Sequence, residues 1–398
     1  MSKNNENKLV PKLRFPEFKN KEEWESMQIG SILIAESSSL ALNKLELKQS
    51  GYAVYGADSI IGYIDTFQHK HPYISIVKDG SGVGRLNLCE SETSTLGTLS
   101  ALKSKDEKKY QIEWTYYLLN TIDFSSYVKG SGIPHIYYSD YKSQNIGVPK
   151  PDEQQKIADC LSSLDDVITA ESQKLELLKD HKKGLLQNLF PQAGSAVPKF
   201  RFKEFENSGE WVERTIEEVA KVTTGNKDTQ NKVDDGEFPF FVRSQNVERI
   251  NSYSYDGEAI LTSGDGVGVG KNFHYIVGKF DFHQRVYCIY DFEKEVSGRF
   301  VYMYFSQHFY ERVMRMSAKN SVDSVRRAMI TEMPILLPSK KEQEKIADTL
   351  SSIDDLIIAQ NQKIEALQLH KKGLLQGLFP TLSETGFTGL KDEKDSKT

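Results

Sequence analysis

Cysteine is scarce in this sequence, and its spacing excludes the usual cysteine-based sites. The 398 residues include three cysteines, Cys89, Cys160 and Cys288, and no two of them form a CxxC pair. We therefore expect neither a disulfide framework nor a zinc site built on cysteine. Reduced thiols of this kind are typical of a cytoplasmic protein, which is the location we expect.

Long hydrophobic runs are missing too. No window approaches the roughly 18 apolar residues of a membrane-spanning helix. Charged residues make up 27% of the chain, and the mean hydropathy is -0.51. The first ten residues, MSKNNENKLV, are polar where a signal peptide has its apolar core. The sequence therefore predicts a soluble protein without a membrane span or a secretion signal.

The chain also lacks an excess of positive charge. It has 51 lysine and arginine residues against 56 aspartate and glutamate residues, for a formal net charge of -5. This balance argues against a protein that coats nucleic acid without regard to sequence. It is still compatible with a reader of specific DNA sites if the basic groups are clustered, or if a partner subunit supplies phosphate contacts.

Signatures of enzymes and metal sites are absent from the sequence. Two glycine-rich turns, within Tyr73 to Arg85 and Ala259 to Lys271, fail the phosphate-loop patterns because required glycines are replaced. His69 and His71 have no third ligand at a fitting spacing, so we interpret that stretch as a solvated loop. GxSxG, HExxH and paired catalytic carboxylates cannot be found. We expect no catalytic residue, metal or cofactor in this chain.

What the sequence does contain is a long internal repeat. Val148 to Pro191 aligns without a gap to Leu337 to Pro380, with 28 identities over 44 residues. A shorter repeat comes earlier in each copy, where PKLRFPEF at Pro11 to Phe18 returns as PKFRFKEF at Pro198 to Phe205. The chain is therefore a tandem duplication, and a period of about 190 residues is long enough for each copy to have its own core.

Apolar residues in both long repeats follow the spacing of a coiled-coil seam. They alternate at intervals of four and three residues, a period of about 3.5 that is typical of helices packed along their length. Pro191 and Pro380 end the two copies. The predicted seam consists of Ile157, Leu161, Leu164, Ile168, Leu175, Leu178 and Leu185 in the first copy and Ile346, Leu350, Ile353, Ile357, Ile364, Leu367 and Leu374 in the second.

The duplication and the seam together predict the architecture. Two helices of roughly 35 residues, on the order of 50 Å long, are expected to pair, and symmetry favours an antiparallel arrangement. We expect an α+β fold with a pseudo-twofold duplication: two mixed α/β heads with turn-rich sheets, separated by the helices as an antiparallel coiled coil. The expected boundaries are 1–149 for the first head with its N-terminal arm, 150–191 for the first helix, 192–338 for the second head, 339–380 for the second helix and 381–398 for a disordered tail.

Basic and polar residues are concentrated in the glycine-rich turns and in the loops after two helix-like aromatic stretches, Ile112 to Tyr127 and Phe300 to Met316. The richest run lies between Arg299 and Arg327, with a local charge of +4. Such a run suits phosphate and base-edge contacts, and a solvated charged face is the alternative. The candidate DNA-binding residues are Lys78, Ser81, Arg85, Lys129, Ser131, His135, Tyr137, Lys142, Arg243, Gln245, Asn246, Lys271, Asn272, Arg315, Lys319, Asn320, Arg326 and Arg327.

The repeats and the two unlike heads resemble the specificity subunits of type I restriction-modification systems. Each helix opens with P-x-x-x-EQ-x-x-I-x-x-x-L-x-x-x-D, here Pro149 to Asp165 and Pro338 to Asp354, and closes with HKKGLLQ-x-LFP. The resemblance covers nearly the whole chain. It implies that the heads are target recognition domains, each reading one half of a bipartite, asymmetric site in double-stranded DNA.

The resemblance also implies which partners carry out the chemistry. Two modification (methyltransferase) subunits would use S-adenosylmethionine, and restriction subunits would use ATP and Mg for translocation and cleavage. The helices would dock the modification subunits and fix the spacer, with a reach of roughly 15 base pairs. The predicted docking surface includes Glu153, Gln154, Lys156, Lys182 and Lys183 with their counterparts Glu342, Gln343, Lys345, Lys371 and Lys372, and solvated helix faces are the alternative.

Two other functions are compatible with the pattern. A coiled-coil scaffold could present two heads that bind proteins or ligands, with no role for DNA. A duplicated enzyme could have a site that matches no known motif. Enrichment of a bipartite DNA motif would support a specificity subunit over both of these alternatives.

Overall fold

Contacts within the chain divide it into two units. The computed structural model describes residues 9–130, 132–192, 194–266, 268–316 and 324–380. Unit 1 combines the chain up to Ser172 with the chain from Gln362 onward, and unit 2 runs from Gln173 to Asn361. Both boundaries fall in the middle of a long helix, so half of each long helix belongs to each unit. Within the described residues, no helix is long and apolar enough to cross a bilayer.

The first head, in unit 1, is a mixed α/β structure of short elements. Its sheets have the strand orders β2-β8-β5-β6, β4-β3-β7 and β1-β9. In chain order the elements are β1 (Glu25–Gln28), α1 (Ile29–Ile32), β2 (Leu33–Ser37), β3 (Tyr52–Tyr55), β4 (Ile60–Ile64), β5 (Tyr73–Val77), β6 (Leu86–Cys89), β7 (Ser94–Thr95), β8 (Leu99–Ser104), α2 (Ile112–Leu119), α3 (Tyr138–Tyr141), β9 (Asn145–Val148) and the long helix α4 (Pro151–Leu189).

The buried strand β5 organises the core of the first head. Its alternate residues Ile74 and Ile76 pack in one cluster with Trp114 of α2, while Tyr73 packs on the other face of the sheet with Cys89. This alternation follows from the two-residue period of a strand. The helix expected over Ile112 to Tyr127 is shorter, because α2 ends at Leu119 and a separate 3-10 turn covers Phe124–Tyr127.

The second head, in unit 2, has one larger sheet in the order β11-β16-β14-β15-β12-β13, with β10-β17 beside it. In chain order the elements are β10 (Val212–Thr215), α5 (Ile216–Val219), β11 (Lys221–Thr224), β12 (Phe238–Phe241), β13 (Val247–Ile250), β14 (Tyr255–Ser263), β15 (Phe273–Phe282), β16 (Val286–Tyr290), α6 (Gly298–Met316), α7 (Arg327–Thr331), β17 (Pro334–Leu337) and the long helix α8 (Lys340–Leu378).

The core of the second head lies on both faces of β14. Ile260 packs in the cluster that contains Phe300 and Phe305 of α6, and its neighbour Leu261 packs in a separate cluster with Phe280. The fold class expected from the sequence, two mixed α/β heads and two long helices in a duplicated chain, is confirmed.

Both long helices have 39 residues. In unit 1, Lys371 pairs with Asp165 and Lys363 pairs with Glu171, each at 2.5 Å. One residue number rises as the other falls, so the two helix segments in this unit run antiparallel. Every predicted seam residue is buried or half-buried. Supercoiling along the full length of the helices stays a prediction.

Unit 2 contains the equivalent ion pair. Lys182 contacts Asp354 at 2.5 Å, and these positions correspond to Lys371 and Asp165 in the repeat. The polar positions that interrupt the apolar seam are Glu171 and Lys182 in the first helix and Gln360 and Lys371 in the second. The two lysines are each compensated by a carboxylate on the facing helix segment.

A buried carboxylate fastens each long helix to its head. Glu153 accepts two hydrogen bonds from the Arg14 guanidinium, at 2.7 and 2.8 Å, and a third from the Trp24 indole. Glu342, with 0% exposure, accepts the same pair from Arg201, at 2.7 Å each. Bidentate pairs of this kind combine charge with fixed geometry.

The glutamine after each carboxylate completes the junction. Gln154 accepts a hydrogen bond from the backbone of Gln111 and donates one to Pro149, and Gln343 makes equivalent bonds to Ser297 and Pro338. The expectation that Glu153, Gln154, Glu342 and Gln343 are exposed docking positions is therefore wrong: all four are buried.

The C-terminal end of each long helix inserts aromatic side chains into a head. In unit 1, Phe379 is 3% exposed and its ring lies 6.1 Å from Trp24 and 6.2 Å from Trp114. In unit 2, Phe190 packs in the same way against Trp211 and Phe300. Each head thus uses the end of a repeated helix as part of its own core.

We predict that Phe379→Ala lowers the free energy of unfolding by about 3–5 kcal/mol, because it removes a buried aromatic ring and leaves a cavity. Leu369→Ala is the control, since this side chain is 70% exposed and its loss should change stability by less than about 0.5 kcal/mol. Chemical denaturation measures both. Equal stability of the two variants would show that the first head does not depend on the helix end.

Candidate functional site

In the first head, the glycine-rich turn contacts the loop that follows α2. Gly80 donates a backbone hydrogen bond to Pro134, and Ile136 donates one to Lys78, each at 2.9 Å. Asp79 and His135 form an isolated β-bridge between the two segments. Candidate residues that are some fifty positions apart in sequence are therefore brought to one place.

The second head repeats this arrangement with different residues. Val325 donates a backbone hydrogen bond of 2.7 Å to Gly264 at the start of its glycine-rich turn, and Asp265 forms a β-bridge with Ser324. Gly266 has a φ of +83°, a left-handed conformation that favours glycine. The turn and the polar loop thus meet in both heads, although their sequences differ.

The candidate residues of the first head lie mostly at the surface, and two of them form ion pairs within the head. Arg85 pairs with Asp58, and Lys129 donates to Asp140 at 2.7 Å, which lowers the pKa of that carboxyl. Tyr137 is 52% exposed. Ser81 and Lys142 are exposed and Lys78 and His135 are half-buried, while Ser131 lies outside the described residues.

A buried amide organises the candidate residues of the second head. Asn272, 8% exposed, donates to the Arg243 carbonyl at 3.2 Å and accepts from Gln245 at 2.9 Å. The side chain of Asn272 is therefore buried, and its amide holds the loop in place instead of facing solvent. Asn246 and Lys271 are exposed beside it.

Two guanidiniums share one carboxylate at this place. Arg243 contacts Asp265 at 2.8 Å, and Arg285 contacts its other oxygen at 2.5 Å. Partial burial would raise the pKa of Asp265, but the hydrogen bonds from both arginines lower it below its ordinary value. Sequence reasoning missed Arg285 and the role of Asp265, because the β15-β16 turn carries no charge run that would have marked it.

Fewer cations of the basic run in the second head are available to a ligand than its charge of +4 suggests. Arg312 donates to the carbonyls of Met329 and Glu332, and Arg327 donates to the carbonyl of Val222. These guanidiniums satisfy backbone oxygens of the fold. Arg315 and Arg326 are exposed, whereas Lys319 and Asn320 lie outside the described residues.

His69 is buried in the first head, so its interpretation as part of a solvated loop is wrong. It is 4% exposed, and its ring lies 4.2 Å from that of Tyr73. The backbone of His69 forms a β-bridge with Thr93. His71 is exposed, with 63% of its side-chain surface accessible. Among the described residues, no cluster of three or more His, Cys, Asp or Glu side chains could hold a metal ion.

The family model described as "Type I restriction modification DNA specificity domain" matches this chain twice, over residues 21–180 and 208–369. Each match contains one head and most of the long helix that follows it. The chain belongs to this family. It is a type I restriction-modification specificity subunit, with DNA sequence recognition as its general role.

Curated relatives of this specificity subunit carry the same description. The MjaVIII specificity subunit of Methanocaldococcus jannaschii is 24% identical over 401 aligned positions, which cover 90% of this chain and 92% of the relative. The EcoDI specificity subunit of Escherichia coli is 29% identical over 157 positions, covering 39% of this chain and 33% of the relative.

A solved structure shows the same fold. The type I restriction-modification S subunit from M. genitalium superposes with a TM-score of 0.70 at 18% identity, over 94% of this chain and 100% of that one. At this identity the likeness concerns the fold. It extends over both heads and both long helices of the specificity subunit.

We predict that His69 makes the stability of this specificity subunit depend on pH. Burial, and then the charge of Lys103, lower its pKa from 6.5 to about 4. The unfolded chain therefore binds a proton more readily between those values, and folding becomes less favourable as pH falls through them. Between pH 7 and pH 5 the loss due to His69 should be up to about 2 kcal/mol.

Denaturant titrations at both pH values measure this loss. The drop in unfolding free energy should be smaller in His69→Gln than in the wild type, and unchanged in His71→Gln, whose side chain is exposed. A drop that is the same in His69→Gln as in the wild type would contradict the prediction.

Proposed function

We propose that this specificity subunit reads a bipartite, asymmetric DNA site, one half with each head. The observation that carries the proposal is the meeting of the glycine-rich turn and the polar loop in both heads. Short loops held by a sheet are suited to base-edge contacts, which require fixed side-chain positions. The residues in these loops differ between the heads, as two unlike half-sites require.

The chemistry is proposed to belong to other subunits. Two modification subunits would bind S-adenosylmethionine and methylate DNA, and restriction subunits would use ATP and Mg. This chain would supply recognition and spacing alone. Its net charge of -5 supports this division, because much of the phosphate contact would then come from the partners.

Exposed apolar residues on the long helices support docking of the modification subunits there. Val167 is 43% exposed and Leu356, at the equivalent position of the other repeat, is 55% exposed. Leu177 and Leu369 are 69% and 70% exposed. Apolar side chains that are this exposed on a helix are suited to contact with another protein. The exposed Lys156 in unit 1 and the exposed Lys183 and Lys345 in unit 2 are further proposed docking positions.

We predict that the full chain, assembled with its modification subunits, enriches two short conserved sequences separated by a constant gap from a pool of random duplexes. Sequencing of the retained DNA measures the enrichment. Retention of DNA with no shared sequence, or of no DNA at any salt concentration, would instead support a scaffold whose heads bind proteins or other ligands.

Single variants of the second head provide controls for this experiment. Arg326→Ala should weaken retention of the selected DNA several-fold, because an exposed cation at the polar loop is removed. Lys294→Ala removes an exposed cation beyond the far end of β16 and should leave retention unchanged. Equal retention by both variants would place Arg326 outside the DNA contact.

The length of the long helices is proposed to set the gap between the half-sites. Deleting residues 170–176 and 359–365 removes equivalent heptads and keeps the seam in phase. Seven residues span about 10 Å of helix, so the preferred gap should shorten by about 3 base pairs at 3.4 Å each. The same enrichment experiment measures the gap, and an unchanged gap in an assembled complex would show that the helices do not set it.

A further inference from the structure

The Arg243, Asp265 and Arg285 cluster differs from an ordinary surface ion pair. Its two guanidinium side chains are exposed, at 42% and 61%, while the carboxylate between them is only 18% exposed. Both carboxylate oxygens are occupied, one by each arginine. The cluster thus presents two cationic groups outward from a largely covered anion, with a net charge of +1.

Backbone contacts fix all three members of the cluster. The Arg243 carbonyl accepts a hydrogen bond from the buried Asn272 amide. The Arg285 carbonyl accepts from the backbone of Gly264, the residue before Asp265, at 2.8 Å. A Cβ on Gly264 would lie 2.8 Å from that carbonyl oxygen, so the two turns approach as closely as glycine permits. Side chains held in this way lose little conformational freedom when a ligand binds.

The free donors of the cluster match one DNA base. A guanidinium has five N–H donors, and each arginine uses one terminal nitrogen, Nη1, on Asp265. Guanine offers two acceptors, O6 and N7, in the major groove, and arginine contacts them with two parallel hydrogen bonds. A phosphate would also accept such bonds, but a phosphate contact does not distinguish one sequence from another.

We propose that Arg243 and Arg285 read guanine in the half-site of the second head, and that Asp265 is the positioning residue that orients them. The inference rests on the proposed function, because it requires that this head contacts DNA bases. Asp265 accepts one hydrogen bond from each arginine, through different carboxylate oxygens.

The test uses the full chain assembled with its modification subunits and the pool of random duplexes. The wild type should enrich a half-site with at least one G·C pair. Asp265→Asn, Arg243→Ala and Arg285→Ala should each lose preference at that pair, with a roughly tenfold or greater fall in the ratio of affinities for G·C and A·T. The other half-site and the gap should be retained in every variant.

Two controls separate recognition from structure. Glu293→Gln disrupts the Arg214 and Glu293 pair, a carboxylate-guanidinium contact beyond the other end of β16, and should leave the motif intact. Arg243→Lys keeps the charge but cannot form two parallel hydrogen bonds, so it should bind DNA while losing the base preference. Thermal unfolding of each variant checks that the second head is folded.

Three results would overturn the inference. An unchanged motif in Asp265→Asn and both arginine variants would show that the cluster does not read a base. A uniform loss of affinity, with the base preference intact, would identify the ligand as phosphate. If the wild type enriches no motif, the proposed function fails and this inference fails with it; enrichment of a motif that the variants leave unchanged rejects the inference alone.

Discussion

The buried carboxylate at the start of each long helix is the interaction on which the architecture depends. Glu342 has no solvent exposure, and its charge is compensated by the guanidinium of Arg201, which lies in the short repeat Pro198 to Phe205, here called the arm of the second head. Removing one partner of such a pair leaves an unpaired buried charge, which costs several kcal/mol. The arm, the head and the helix must therefore come together in a single geometry. Because Arg14 and Glu153 repeat the contact, both copies of the duplicated sequence keep the same junction.

This rigid junction allows the rest of each head to vary. The repeated residues Glu153, Gln154 and Phe190 and their counterparts belong to the junctions and helix ends and not to the loops where the glycine-rich turn meets the polar loop. The two heads use these loops differently: Asp140 holds one cation, Lys129, whereas Asp265 holds two. Changes there alter charge and hydrogen-bonding groups without disturbing the buried carboxylates. Under the proposed function, recognition would therefore change while the geometry of the helices is kept.

The fold was largely predictable from the sequence, and the site only in part. The repeat, the seam and the prolines define the long helices because helical packing leaves a periodic pattern. Junction residues such as Glu153 were misassigned, since a charged side chain in a helix is normally exposed and its buried partner, Arg14, lies 139 positions away. His69 was also misassigned, because it forms a β-bridge with Thr93, a residue outside its own sequence neighbourhood. Asp265 and Arg285 come together because β14 pairs with β16, with Ser263 opposite Val286, and no local pattern records this pairing.

Counting charges along the sequence does not identify the cations available to a ligand, because some of the arginines donate hydrogen bonds within the fold. Arg312 and Arg327 contribute to the charged run of the second head, yet their guanidiniums donate to backbone carbonyls. Arg285 belongs to no run, yet it is 61% exposed. The groups available to a ligand are those with free donors and fixed positions. A carboxylate that holds two arginines at the surface meets both conditions, because it fixes their direction while leaving most of their donors unused. Under the proposed function, a few oriented cations of this kind would contribute more to recognition by this acidic chain than its total charge does.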